Sequence, residues 1–250
     1  MVDKILAAAD LSHDDCVLEV GPGPGGLTQA MAPLAGHIIA VELDRQLIPV
    51  LEDIFRDKNV SIIQGDILKI NLPEILAPHT NSTIKVVANL PYYITTPVIL
   101  FLLESGLPFH CITIMVQKEV AKRMAATPGN KDYGSLTLAV QYYADVSLVA
   151  NVPVNSFMPR PAVDSAVINI RLKPEPPVAA NKEDLFKIIH AAFNQRRKTL
   201  VNALASGLDM DKSYITEILL KCGLKPDVRG EALDMAAFAQ IASCVKRNPQ

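Results

Sequence analysis

The sequence predicts an α/β domain built on a mostly parallel, seven-stranded sheet, followed by a small all-helical domain. Three observations lead there. Short apolar runs alternate with helical patterns through the first two thirds of the chain, as they do in βαβ units. The proline-rich segment Lys173-Pro174-Glu175-Pro176-Pro177 then interrupts any regular element. Beyond it, every apolar pattern has helical spacing.

Strands are expected at Cys16–Val20, Ile38–Val41, Ser61–Ile63, Ile84–Ala88, Ile112–Val116, Val146–Val149 and Ser165–Leu172. Between them, Leu27–Leu34, Leu47–Phe55, Pro97–Leu103, Lys118–Ala125 and Leu136–Tyr143 read as helices. The first four strands have crossover-length connections and should be parallel. The last two lie close together and are joined through Pro153, Pro159 and Pro161, which suits an antiparallel pair at one edge. After the prolines, helices are expected at Leu185–Phe193, Leu200–Ala205, Tyr214–Cys222 and Met235–Val245. The domains are therefore 1–173 and 178–250, with 174–177 as a stiff, extended linker.

Half of the 250 residues are apolar, enough for a sizeable core, yet no apolar run approaches the roughly 18 residues that span a bilayer. Met1-Val2-Asp3-Lys4-Ile5 lacks the basic-then-apolar order of a signal peptide, so a cytoplasmic protein is expected. Cys16, Cys111, Cys222 and Cys244 are widely spaced, which indicates neither a zinc site nor a disulfide framework. The five histidines also lack ligand spacing, and no metal is expected. The net charge of −2 does not point to nucleic acid, but its distribution is uneven. From Val178 onward, 11 Lys+Arg face 8 Asp+Glu, against 13 and 18 in the remainder. A mildly basic tail on an acidic body is a weak sign of a polyanionic partner.

Val17-Leu18-Glu19-Val20 runs into Gly21-Pro22-Gly23-Pro24-Gly25-Gly26, a strand leading through a glycine-rich turn into a helix. Gly21, Gly23 and Gly26 satisfy the dinucleotide pattern, and the acid Glu42 follows at the end of the next strand. An NAD-dependent enzyme is thus a competitor. The prolines argue against it, because a pyrophosphate needs backbone N–H groups from this loop and Pro22 and Pro24 have none. S-adenosylmethionine carries no phosphate and needs only a close, side-chain-free backbone, which Gly21 and Gly23 allow. Glu42 can accept both ribose hydroxyls. Asp66, in Gly65-Asp66-Ile67 after the third strand, can accept the adenine amino group, and Ile67 is counted with it as cofactor-binding.

Asn89-Leu90-Pro91-Tyr92 follows the run Ile84–Ala88 and so stands at the carboxyl end of a buried strand, where open α/β sheets bind ligands. The amide oxygen can accept from an exocyclic amine, and the ring can stack on a flat base. The tetrapeptide is similar to the signature of amino-methyltransferases that act on nucleobases. Glu42, Asp66 and Asn89, at the tips of the second, third and fourth strands, form a series along one sheet edge beside the glycine turn. That series favours a class I S-adenosylmethionine-dependent methyltransferase with a Rossmann-like sheet over the NAD-dependent reading.

Taken together, Leu18–Thr28, Val41–Arg45, Gly65–Leu68, Asn89–Pro97, Phe157–Val167, Phe193–Leu204 and Val228–Phe238 resemble the bacterial small-subunit rRNA adenine dimethyltransferases, whose loss gives kasugamycin resistance. Phe157–Val167 and Asn194–Leu200 carry this resemblance more specifically than the glycine turn. It implies transfer of four methyl groups to two adjacent adenosines near the 3′ end of 16S rRNA in the immature small subunit. It also implies cofactor contacts at Gly21, Glu42, Asp66 and Asn89. Family members usually carry a further amino-terminal segment with a Gln-(Asn/His)-Phe-Leu motif that closes over the cofactor. This sequence opens at about the helix after it, which bears on cofactor affinity and lid closure.

The mechanism expected from these residues needs no metal. The side-chain oxygen of Asn89 and the carbonyl of Leu90 or Pro91 accept the two amino hydrogens. Tyr92 and Phe157 sandwich the flipped base, and Tyr93 is read as packing. Arg196-Arg197-Lys198, placed at the start of a tail helix, is expected to contact phosphate, with Lys118, Lys122 and Arg123 as a second basic group. The protein is expected to act as a monomer. Two competitors remain: the large-subunit (23S) counterpart, which usually has Ile at the position of Leu90, and a ribosome-assembly binding factor with weak or lost catalysis.

Overall fold

The computed structural model describes residues 1–157 and 160–245. Met158 and Pro159, within the segment Phe157–Val167, lie outside the described residues. The described chain forms two compact units. One comprises Met1–Ala121 and Ala144–Lys173, the other Lys122–Tyr143 and Pro174–Gln250. The division at Lys173 and Pro174 falls on the proline-rich segment. Residues 122–143, expected within the first domain, group instead with the C-terminal helices.

The first unit contains a seven-stranded sheet in the order β3-β2-β1-β4-β5-β7-β6. The strands are β1 (Asp15–Val20), β2 (His37–Glu42), β3 (Val60–Gln64), β4 (Thr83–Asn89), β5 (Phe109–Gln117), β6 (Ala144–Val152) and β7 (Ser165–Leu172). β1 to β5 are parallel, one strand more than the connections alone required, and β7 lies antiparallel between β5 and β6. Every residue of β1 is buried, as expected for a central strand of a parallel sheet covered on both faces. β6 closes one edge, and a register shift between Leu148 and Ala150 interrupts its pairing.

Helix α1 (Val2–Ala9) packs Ile5 and Ala9 into a core with Val17, Val87, Met115 and Val167. The connecting helices are α2 (Gly26–Met31), α3 (Ile48–Phe55), α4 (Leu72–Leu76), α5 (Thr95–Glu104) and α6 (Lys118–Met124). The second unit has its own core. In it α7 (Ser135–Tyr143) joins α8 (Lys182–Asn194), α9 (Leu200–Leu208), α10 (Lys212–Lys221) and α11 (Met235–Cys244) around Leu185, Ile189, Leu204, Leu219 and Phe238. Tyr133 is bound into that core, donating its hydroxyl to the Leu233 carbonyl at 2.8 Å. This explains why residues 122–143 belong with the tail. Cys16 and Cys111 are buried in strands, and Cys222 and Cys244 approach to 3.8 Å, a proximity that their spacing in the chain concealed. Among the described residues no helix is long and apolar enough to cross a membrane.

Candidate active site

The parallel strands β3, β2, β1 and β4 are neighbours in that order, so their carboxyl ends form one continuous edge. On it stand Asp66 two residues beyond β3, Glu42 as the last residue of β2, the turn after β1, and Asn89 as the last residue of β4. The topology therefore brings together the residues that the sequence places at strand tips.

The turn after β1 alternates conformations. Gly21, Gly23 and Gly25 have φ of +69°, +57° and +85°, values that glycine adopts without the Cβ penalty, while Pro22 and Pro24 hold the positions between them. Gly21 N–H donates to the Val41 carbonyl at 2.9 Å, which ties the turn to the tip of β2. A Cβ built on Gly21 or Gly23 would meet no atom within 4 Å, whereas one on Gly25 would reach 2.9 Å from the Phe55 ring. Gly25 is thus a packing glycine, and Gly21 and Gly23 border open space.

Glu42 is fixed before any ligand arrives. One carboxylate oxygen accepts from Gly23 N–H at 3.0 Å and the other from Asp44 N–H at 2.9 Å. A carboxylate has about four lone-pair sites, so capacity remains for a pair of hydroxyls. Asp66 Oδ1 accepts from Leu68 N–H at 3.0 Å, and Oδ2 lies 3.7 Å from Lys69 Nζ. Ile67 is buried, so its side chain serves the core. Open space beside two glycines and two preoriented carboxylates, with no loop donor array for phosphate, fits S-adenosylmethionine. Gly21, Gly23, Glu42 and Asp66 would hold it.

A residue overlooked in the sequence reading is Glu19. It is 1% exposed, and its Oε2 accepts the Thr28 hydroxyl at 2.6 Å. Burial pushes its carboxyl from 4.5 up to about 7; the hydrogen bond from Thr28 opposes the shift and the nearby Glu42 carboxylate adds to it. The available signal was an acid inside an otherwise apolar strand, since such a group needs a partner when buried.

At the other end of the edge, Asn89 is exposed and Leu90 is 2% exposed, so the Leu90 side chain anchors the turn. The Pro91 carbonyl accepts from Ile94 N–H at 3.2 Å and from the Thr95 hydroxyl at 3.1 Å, bonds that start α5. Tyr92 is half-buried, and its hydroxyl lies 2.8 Å from Ser165 Oγ. Tyr93 is 81% exposed, which corrects its reading as a packing residue. Phe157 is half-buried and packs against the core cluster that contains Val152 and Val167.

The basic groups differ from expectation. Arg196, Arg197 and Lys198 lie in the turn between α8 and α9 rather than in a helix, because the next helix begins only at Leu200. Arg196 donates to the carbonyls of Lys131 at 2.9 Å and Tyr133 at 3.0 Å, and lies 3.7 Å from Glu231. It is a structural tie within the second unit, whereas Arg197 and Lys198 are exposed. Lys118 stands 3.8 Å from Asp164, and Lys122 and Arg123 are exposed.

A family model described as ribosomal RNA adenine dimethylase matches residues 1–242. The chain belongs to the ribosomal RNA adenine dimethylase family. As a member it is an S-adenosylmethionine-dependent rRNA adenine dimethyltransferase. It is 49% identical over 98% of its length to a ribosomal RNA small subunit methyltransferase A from Lachnoclostridium phytofermentans, of which it covers 87%. Among solved structures it is similar to a dimethyladenosine transferase from Plasmodium falciparum, with a TM-score of 0.78 and 29% identity, covering 96% of this chain and 93% of that one. The 23S rRNA methyltransferase ErmE shares the fold, with a TM-score of 0.72 and 22% identity over 97% of this chain and 96% of that one.

Proposed function

We propose that this dimethylase methylates the N6 amino groups of two adjacent adenosines near the 3′ end of 16S rRNA, acting as a monomer on the immature small subunit. What supports the reading is the near-full-length match to relatives named for the small subunit, at 49% identity for the Lachnoclostridium phytofermentans protein. Asn89-Leu90-Pro91-Tyr92 stands at the sheet edge where such chemistry belongs.

The reaction asks little of the protein beyond positioning. S-adenosylmethionine, when bound, supplies an electrophilic methyl on a sulfonium sulfur. The adenine amino group is a poor nucleophile because its lone pair is delocalised into the ring. Asn89 Oδ1 accepts one amino hydrogen. The Pro91 carbonyl already takes two hydrogen bonds, so the Leu90 carbonyl is the acceptor assigned to the second. Holding both hydrogens turns the nitrogen lone pair out of the ring plane. After the methyl is transferred the nitrogen sheds one hydrogen as a proton to solvent, and the single remaining N–H keeps one of the two acceptors for the second transfer. Tyr92 stacks on the extruded base, worth roughly 1–3 kcal/mol per base, and Phe157 closes on its other face. No side chain needs to act as a nucleophile.

The test is methyl transfer from a labelled donor to undermethylated small and large subunits presented separately. Small subunits should take up label in the 3′ fragment of 16S rRNA. Association with small subunits without transfer would support an assembly factor instead, and labelling of 23S rRNA would favour the large-subunit reading.

A further inference from the structure

We propose that Ser165 is a positioning residue for base capture. Its buried hydroxyl holds the Tyr92 phenol and thereby fixes the position of the ring on which the target adenine stacks. This rests on the function proposed above, in which Tyr92 is the stacking platform.

The two partners differ in how firmly they are held. Ser165 is 0% exposed and is the first residue of β7, paired with Gln117 of β5 on one side and Val152 of β6 on the other. The residue before it reinforces this frame. Asp164 accepts the Val154 N–H on its carboxylate at 3.1 Å and the Lys118 N–H on its carbonyl at 2.9 Å. Ser165 Oγ is therefore fixed to the sheet. Tyr92, by contrast, sits in a turn beyond the end of β4, flanked by exposed Pro91 and by Tyr93 at 81% exposure. The phenol oxygen lies on the axis of the second side-chain bond, so tethering it at 2.8 Å restrains rotation about the first, the bond that decides where the ring stands.

The segment Phe157–Val167 thereby acquires a division of labour. Asp164 pins the entry to the strand, and Ser165 reaches across to the stacking ring. A tethered ring loses little freedom when a base arrives, and the ordering of one such side chain corresponds to a factor of several in affinity. Ser165 makes no contact with the reacting atoms in this scheme, so its removal should weaken RNA capture and leave the chemical step alone.

The experiment compares Tyr92→Phe, Ser165→Ala and the double variant of the full chain, using undermethylated small subunits as substrate. KM for the subunits, kcat, cofactor affinity and melting temperature are measured for each. Each single variant should raise KM roughly 3–10-fold, with kcat and cofactor affinity near the parent's, and the double variant should be no worse than either single one. Ser165→Thr, which keeps the hydroxyl, should restore most of the loss. Tyr92→Phe keeps the test sound if Ser165→Ala folds poorly, because it cuts the same bond from the half-buried side. Unchanged KM in Tyr92→Phe overturns the proposal, as do losses that multiply in the double variant or a lower melting temperature without a change in KM. A parent protein that binds cofactor but transfers no methyl overturns the assigned function and this inference with it; an active parent with unaffected variants overturns this inference alone.

Discussion

Glu19 shows how the site is built from individual side chains under constraint. Its carboxyl is held up near 7 chiefly by burial, so the folded state keeps a proton that the unfolded chain has released above about 4.5. The contribution of Glu19 to stability should therefore fall as pH rises from about 4.5 to about 7 and level off beyond, because this carboxyl binds more protons in the folded state throughout that window. Glu19→Gln removes this dependence while still offering Thr28 an acceptor. Denaturant titrations of the two proteins at pH 5 and pH 8 should diverge by up to about 3 kcal/mol; parallel pH profiles would refute the assignment. Tyr92→Ala should raise KM for RNA by an amount corresponding to roughly 1–3 kcal/mol of lost stacking, read in the same transfer assay with thermal melting as the fold control. Glu42 was legible in the sequence because an acid follows an apolar strand at a recognisable distance. Glu19 was not, because nothing in a single buried acid says whether it is a ligand-facing group or an internal hydrogen-bond acceptor.

Among the elements, the strands were the most legible. Ser165–Leu172 was expected with its observed bounds, and the others grew by one to five residues where the ladder continues past the apolar run. Helix α1 stands where the family resemblance places one, whereas α4 was not anticipated, because a five-residue helix beginning Leu72-Pro73 is too short to show a period. The turn from α8 to α9 is where local pattern misled. Arg196-Arg197-Lys198 looks like one basic face, but Arg196 is drawn into carbonyls of Lys131 and Tyr133, a long-range contact that spacing does not reveal. Arg196→Ala should therefore lower stability by about 1–3 kcal/mol in a thermal or denaturant melt. Arg197→Ala and Lys198→Ala should leave stability alone and each flatten the salt dependence of RNA binding by about one unit of slope. Helix packing in the second unit depends on Gly207. A Cβ there would lie 2.6 Å from that of Ala191. Gly207→Ala should gain about 1 kcal/mol of helix propensity and lose more through overpacking, about 1–3 kcal/mol, for a net drop in melting temperature.

For the chain as one functional object, sheet order matters more than any single motif. The glycine turn, Glu42, Asp66 and Asn89 are dispersed over some 70 residues and meet only because β3, β2, β1 and β4 are parallel neighbours with their carboxyl ends aligned. The crossover connections made this arrangement readable in advance, since parallel strands require them. The assignment of residues 122–143 to the second unit was not readable, because Tyr133 and Arg196 bind across a long stretch of chain. The proposed chemistry turns on Asn89 as the acceptor that prepares the adenine amino group. The most direct test is the yield of N6,N6-dimethyladenosine in the 3′ fragment of 16S rRNA, measured by mass spectrometry after single-turnover reaction of the parent and Asn89→Ala proteins with undermethylated small subunits. The parent should convert two adjacent adenosines, and Asn89→Ala should react at least about 100-fold more slowly with an unchanged melting temperature. Near-parental conversion by a folded Asn89→Ala protein would contradict the account.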